Sequence, residues 1–164
     1  AFVQAVRAIK AALDDLPRED HRHTIIHACL PTAEEIAVCE RYHINLAVQT
    51  AFIDWPQEPD SYLEQILGER AGRLNPIRTF CEHGLILSAG SDGPCTDPDP
   101  LLWMYKACNN SNPAESISVQ QALWKSGSGK NSGHGVAGPQ SLRHPEGGTG
   151  FRQSEAALPA GAGI

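Results

Sequence analysis

Leu85-Ile86-Leu87-Ser88-Ala89-Gly90-Ser91-Asp92-Gly93-Pro94 is the stretch on which the fold turns. Its apolar start meets no polar residue before Ser88 and is long enough for one buried strand, which Gly93-Pro94 must stop. The first charge, Asp92, therefore falls at the strand's C-terminal rim. In sheets of parallel strands that rim is where ligands bind and chemistry is done. Asp92 is the first candidate working residue.

The flanking sequence supplies the companions such a strand needs. Phe2, Val6, Ile9, Leu13 and Leu16 mark one face of an amphipathic helix that ends near Pro17. Thr24-Ile25-Ile26-His27-Ala28-Cys29-Leu30 is a β-branched apolar run closed by Pro31, a second strand. Thr32 and Glu35 stand in capping-box register for a helix from Ala33 to about Tyr42, and Ile44 to Ala51 alternates as a further strand. Asp60 is a candidate N-cap for a helix carrying Leu63, Ile66 and Leu67. Asn75-Pro76 opens another, with Gly84 past its end. Asp99-Pro100 starts a helix through Leu101, Leu102, Met104 and Tyr105, and Ser118 with Gln121 marks one more capping box. Alternating strands and helices predict an α/β fold of parallel βα units.

The chain has 164 residues, 41% of them hydrophobic, which suits one domain with a sizeable core. A complete barrel of eight strand-helix units typically needs about 250 residues. A net charge of -6 with no run of Lys and Arg excludes nucleic acid as a leading partner. No apolar stretch approaches a membrane span and no basic-then-apolar leader is present, so no membrane partner is expected. The first residue is Ala1, which leaves any upstream address open. Five cysteines, Cys29, Cys39, Cys81, Cys95 and Cys108, are odd in number, widely spaced and without a C-x-x-C pair. That argues against a zinc ribbon or a disulfide scaffold and for buried free thiols in a reducing compartment, the cytoplasm being favoured.

After Leu123 the texture changes. Residues 124–164 hold ten of the fifteen glycines with five serines and three prolines, and no periodicity persists. The division expected is a folded domain over 1–123 and a disordered Gly/Ser/Pro-rich tail over 124–164. Translation in a shifted frame or an unnatural C-terminus would give the same composition. A frame-shift origin predicts a recognisable strand or helix pattern in another reading frame of the nucleotide sequence.

His27 is the natural partner for Asp92. It also ends a strand, and the 65 positions that separate them, with helix regions in between, allow further crossovers in one sheet. A neutral imidazole and a carboxylate are the side chains a divalent metal needs beside a bound water, whose proton a carboxylate can take. The plain alternatives are a hydrogen-bonded core histidine and a turn-forming aspartate before Gly-Pro. His21 and His23 share a strand side with His27, but His21 lies too far along to share one ion and reads as a solvated entry residue. Asp54, Asp97 and Asp99 read as turn and cap chemistry. No G-x-S-x-G elbow and no P-loop occur, and the Gly-x-Gly stretches at 127–135 follow no strand.

Thr24-Ile25-Ile26-His27-Ala28, the strand with Gln49-Thr50, the Arg78 helix, and Ala89-Gly90-Ser91-Asp92-Gly93-Pro94 followed by Asp99-Pro100-Leu101 together resemble the metal-dependent amidohydrolase superfamily, and within it amidohydrolase family 3. The resemblance covers about residues 2–123. It implies a partial (β/α)8 TIM barrel, roughly the last three βα units, these segments being similar to its sixth, seventh and eighth strands. By position, His27 resembles the metal-ligand histidine ending the sixth strand. Asp92 resembles the aspartate ending the eighth, which contacts the metal and shuttles the proton of the hydrolytic water. The implied reaction is hydrolysis of a carbon-nitrogen bond other than a peptide bond in a small amide-like substrate, with a divalent ion, zinc by preference, polarising the carbonyl.

Two departures qualify the likeness. Ile26 stands where this branch commonly has glutamate, and the family's first-strand His-x-His pair, fourth-strand ligand and fifth-strand histidine have no counterpart. A catalytic zinc site usually takes three protein ligands, and this chain supplies at most two. Metal binding and turnover by the chain alone are therefore expected to be weak or absent, and open strand edges invite pairing with another chain. A non-catalytic α/β piece acting in interaction or regulation is the competing reading. A His-rich metal module is disfavoured by the dispersed histidines. Trp55, after the seventh strand, is a candidate pocket wall or a packed aromatic; Trp103 lies just beyond the eighth.

Overall fold

A computed structural model describes residues 1–126 of the protein, side chains being described through 123. Apart from the end of its last helix, the expected tail lies outside the described residues. In chain order the elements are α1 (Phe2–Asp15), β1 (Thr24–Ile26), α2 (Ala33–Arg41), β2 (Asn45–Val48), α3 (Asp60–Leu67), α4 (Ile77–Glu82), β3 (Leu87–Ala89), α5 (Pro100–Cys108) and α6 (Val119–Ser126). Short 3₁₀ turns at Thr50–Phe52, Gly68–Arg73 and Pro113–Glu115 join them. The strands form one sheet in the order β1-β2-β3, all parallel, with Ile26, Ala47 and Ser88 in one lateral row. The α/β class expected from the alternation of strands and helices is what the chain adopts.

Helix starts follow local chemistry. The Thr32 N–H donates to Glu35 Oε2 at 2.9 Å and the Thr32 hydroxyl donates to the same oxygen, closing the box that opens α2. Asp99 accepts from the Leu101 N–H at 2.9 Å with Pro100 in the first helical position. At α6 the Ser118 N–H reaches Gln121 Oε1 at 2.9 Å and the Gln121 N–H reaches Ser118 Oγ at 3.2 Å. Gly84, two residues past α4, sits at φ +66°, where a side chain would be strained. Two helix starts shift from expectation: Pro59 rather than Asp60 is the N-cap of α3, and Pro76 is the N-cap of α4 rather than its first residue.

The Thr32 hydroxyl holds the Glu35 carboxyl below its ordinary 4.5, with help from the Thr32 and Glu35 backbone N–H groups and Arg7. Folding therefore favours the ionised carboxylate. The stability it contributes is complete above the ordinary value and is lost as pH falls through the lower folded one. Glu35→Gln is expected to be less stable than the wild type near neutrality by about 1 kcal/mol. Urea denaturation at descending pH should show that difference shrinking in acid; a difference independent of pH would contradict the assignment.

Side-chain alternation sorts the sheet into two unlike faces. Ile25, Leu46, Val48 and Leu87 point into a core with Val6, Ile36, Cys39, Ile44, Phe80, Ala107, Ile117 and Ala122. On the other face Ile26 is 60% exposed, Ile86 is 44% exposed and Ser88 is exposed, with no described element covering them. The strand of Leu85–Leu87 is thus buried on one side only, although parallel sheets usually bury both. Strand lengths also fall short of the sequence pattern. β1 stops at Ile26 because His27 leaves extended geometry, and β2 stops at Val48 because Thr50–Phe52 winds into a 3₁₀ turn with Thr50 and Ala51 both buried.

The α3 triplet Leu63, Ile66 and Leu67 does not reach the core. No residue of α3 is buried, and Ile66 is exposed. Leu16, counted on the apolar face of α1, is exposed just past the helix end. None of the five cysteines forms a disulfide, but only Cys39 is fully buried, and Cys95 is exposed. Burial, with the Glu35 carboxylate adding to it, pushes the Cys39 thiol up to about 11. Among the described residues no helix is long and apolar enough to cross a membrane.

Candidate functional site

The C-terminal ends of the three strands lie side by side, and each carries a polar residue. His27 follows β1, Gln49 follows the central β2, and Asp92 lies three residues past β3. The His27 N–H still donates to the Ala47 carbonyl at 3.1 Å, so the residue is pinned to β2 before the chain turns. Its φ is +58°, and the Cys29 N–H closes back on its carbonyl at 2.8 Å. Asp92 has φ +55° and opens a turn in which its carbonyl accepts the Cys95 N–H at 2.9 Å. Ser91 Oγ accepts the Gly93 N–H at 3.1 Å, ahead of the cis Gly93-Pro94 bond. Left-handed backbone is uncommon for any residue but glycine, His and Asp being among those that tolerate it, and such positions concentrate at functional sites.

These turns bring the two expected residues together across β2. His27 Nε2 lies 3.5 Å from Asp92 Oδ2, both side chains being half exposed. That separation is long for a hydrogen bond and suits two donors sharing one ion: bonds of about 2.0–2.1 Å at tetrahedral angles put ligand atoms about 3.4 Å apart. The donor types also fit a zinc-like ion. Among the described residues no group of three or more His, Cys, Asp or Glu side chains converges to hold a metal. The described residues thus bring together two side chains of the types a metal takes, and no third.

An aromatic wall stands beside the pair. The Phe52 ring centroid is 6.1 Å from that of His27, and Trp55 meets Phe52 edge-on at 4.9 Å. Trp103 is placed elsewhere: its indole N–H donates to the Asp97 carbonyl at 3.1 Å, and its own carbonyl accepts the Thr50 hydroxyl at 2.8 Å. His21 and His23 precede β1, at the end away from His27. Their rings stack at 4.7 Å, and His21 Nε2 lies 2.7 Å from the Tyr42 carbonyl. Asp54 lies 3.3 Å from Lys106 Nζ, and Asp97 and Asp99 serve the α5 start, in keeping with turn and cap roles. Ile26, where the resemblance leads one to look for glutamate, points onto the open face.

Gln49 carries part of the family resemblance but has no role assigned from sequence. It is 8% exposed, and its Oε1 accepts no hydrogen bond from any described residue. The signal available in the sequence was a lone amide within the apolar run Leu46-Ala47-Val48, at the same strand-end position as His27.

Comparisons with known proteins bear on the family and the fold. A family 3 amidohydrolase model, described as "Amidohydrolase family", matches residues 1–131, a little beyond the 2–123 over which the resemblance was expected. No curated protein matches the chain. Among solved structures, an uncharacterized metal-dependent hydrolase from Pyrococcus furiosus is similar, with 21% sequence identity and a TM-score of 0.58. The match covers 73% of this chain and 25% of that one, so the chain spans a minor part of the neighbour's length, and the likeness is one of fold. With a family model matched over most of its length, the chain belongs to the amidohydrolase family.

Proposed function

We propose that this chain is the C-terminal part of a metal-dependent hydrolase that cleaves carbon-nitrogen bonds other than peptide bonds in small amide-like substrates. Its three strands are read as a sector, roughly the last three βα units, of a (β/α)8 TIM barrel. The observation that carries the reading is the 3.5 Å approach of His27 to Asp92 at the strand ends. Family membership supports the hydrolase class. Sequential parallel strands with helices on one face and nothing described on the other are what a barrel sector would leave, the bare face being the barrel interior.

In the whole enzyme His27 Nε2 and the Asp92 carboxylate would hold a divalent ion, zinc by preference, which polarises a carbonyl and makes water more acidic. Asp92 takes the proton of the attacking water and returns it to the departing nitrogen, a carboxylate being basic enough for the first step and, once protonated, acidic enough for the second. His27 presents its Nε2 to the same space, its ring held beside Phe52.

With two donors among the described residues, the isolated chain is expected to be inactive. Purified chain incubated with zinc and desalted is expected to retain well under one equivalent by elemental analysis. Near-stoichiometric zinc that is lost in His27→Ala or Asp92→Ala would contradict the incomplete site, as would hydrolysis of simple amides by the chain alone. A second reading, a non-catalytic interaction piece, is favoured by the outer edges of β1 and β3, each of which, among the described residues, pairs with β2 alone. Concentration-dependent self-association without metal would support it. Neither nucleic acid nor membrane enters either reading.

A further inference from the structure

Gln49 occupies the middle of the strand-end row, on the strand between those that lead to His27 and Asp92. The backbone around it is fixed. Its carbonyl accepts the Phe52 N–H at 3.1 Å, and the Gly90 N–H donates to the Val48 carbonyl at 3.1 Å. Its Nε2 lies over Gly90, where an added Cβ would stand 4.0 Å away, an ordinary contact. Yet the side chain is more than nine-tenths buried, and Oε1 is a buried acceptor that no described residue satisfies. Buried polar atoms are nearly always paired, because an unpaired one forfeits its hydration without return. A fold that needed only packing here would be served better by leucine or methionine.

We infer that Gln49 is a substrate-binding residue whose carboxamide pairs with the amide group of the substrate; this rests on the hydrolase reading above. A carboxamide carries an acceptor and a donor side by side, and so does a primary or cyclic amide, whose N–H and carbonyl lie on the same side: the substrate N–H donates to Oε1 while the substrate carbonyl accepts from Nε2. The last torsion of glutamine is broad, so the group can turn to that pairing at little cost. The contact would fix the scissile group between His27 and Asp92. Primary and cyclic amides would then be preferred over open-chain secondary and fully substituted ones.

The 164-residue chain is enough for the test. Gln49→Leu and Gln49→Met are expected to match or exceed the wild-type thermal midpoint, by up to about 2–4 °C, because each removes an unpaired buried group. A residue kept for structure would show the reverse, and a lowered midpoint in both variants overturns the inference. In ¹⁵N-labelled chain, the Gln49 side-chain amide signal, identified by its loss in Gln49→Met, should shift saturably with acetamide and several-fold less with acetate. No shift, or equal shifts with both probes, also overturns it. Neither readout needs turnover. Failure to hydrolyse amides bears on the hydrolase reading, and these measurements bear on Gln49.

Discussion

In the whole hydrolase proposed above, Asp92→Asn is expected to lower kcat/KM by about 10²–10⁴-fold, the range over which a positioned acid-base group accelerates a reaction. Asparagine keeps the size of aspartate and, like it, tolerates the left-handed backbone that position 92 adopts at φ +55°. The fold should therefore survive, and far-UV circular dichroism should be unchanged. Steady-state kinetics decide the matter. Loss carried by kcat fits a proton-transferring carboxylate, loss confined to KM fits a binding role, and a change under about threefold would remove Asp92 from the chemistry.

Phe80→Ala is expected to have the largest effect on stability. Phe80 is fully buried on α4, and its carbonyl accepts the Leu85 N–H at 3.1 Å, tying the helix end to the lead-in of β3. Truncating a buried phenylalanine typically costs about 3–5 kcal/mol in lost burial and residual cavity. Domains of this size are commonly stable by only about 5–15 kcal/mol. Urea denaturation of the isolated chain should show a midpoint far below that of the wild type, and a loss under about 1 kcal/mol would mean that the core around α4 is loosely packed.

Features set by neighbouring residues were legible in the sequence. Thr32 with Glu35, Ser118 with Gln121, and Asp99-Pro100 mark helix starts because their hydrogen bonds span two or three residues and need nothing from elsewhere in the fold. His27 and Asp92 were placed at strand ends by the apolar runs before them, and the fold brings them to 3.5 Å. What brings them so close, a left-handed turn at each, leaves no mark on residue type. The bare face was hidden for a related reason: Leu85-Ile86-Leu87 reads as one buried strand, and only the arrangement of the helices shows that nothing described covers Ile26 and Ile86. A role for Gln49 was hidden because an unsatisfied amide oxygen is defined by what fails to surround it. The α3 leucines show the converse, a helical apolar spacing that packs on no core.

The open sheet face also bears on the fate of the chain in a cell. Ile26 and Ile86 lie on a strip between two strand edges that no described residue pairs, while the helical side is folded around Leu46 and Phe80. Wherever the chain is made without strands to close over that strip, chaperones and proteases meet a folded body that displays the surface signature of an unfinished one. Its steady-state abundance would then be set by quality control acting on that strip, and polar replacements at Ile26 and Ile86 would lengthen its lifetime without touching the core.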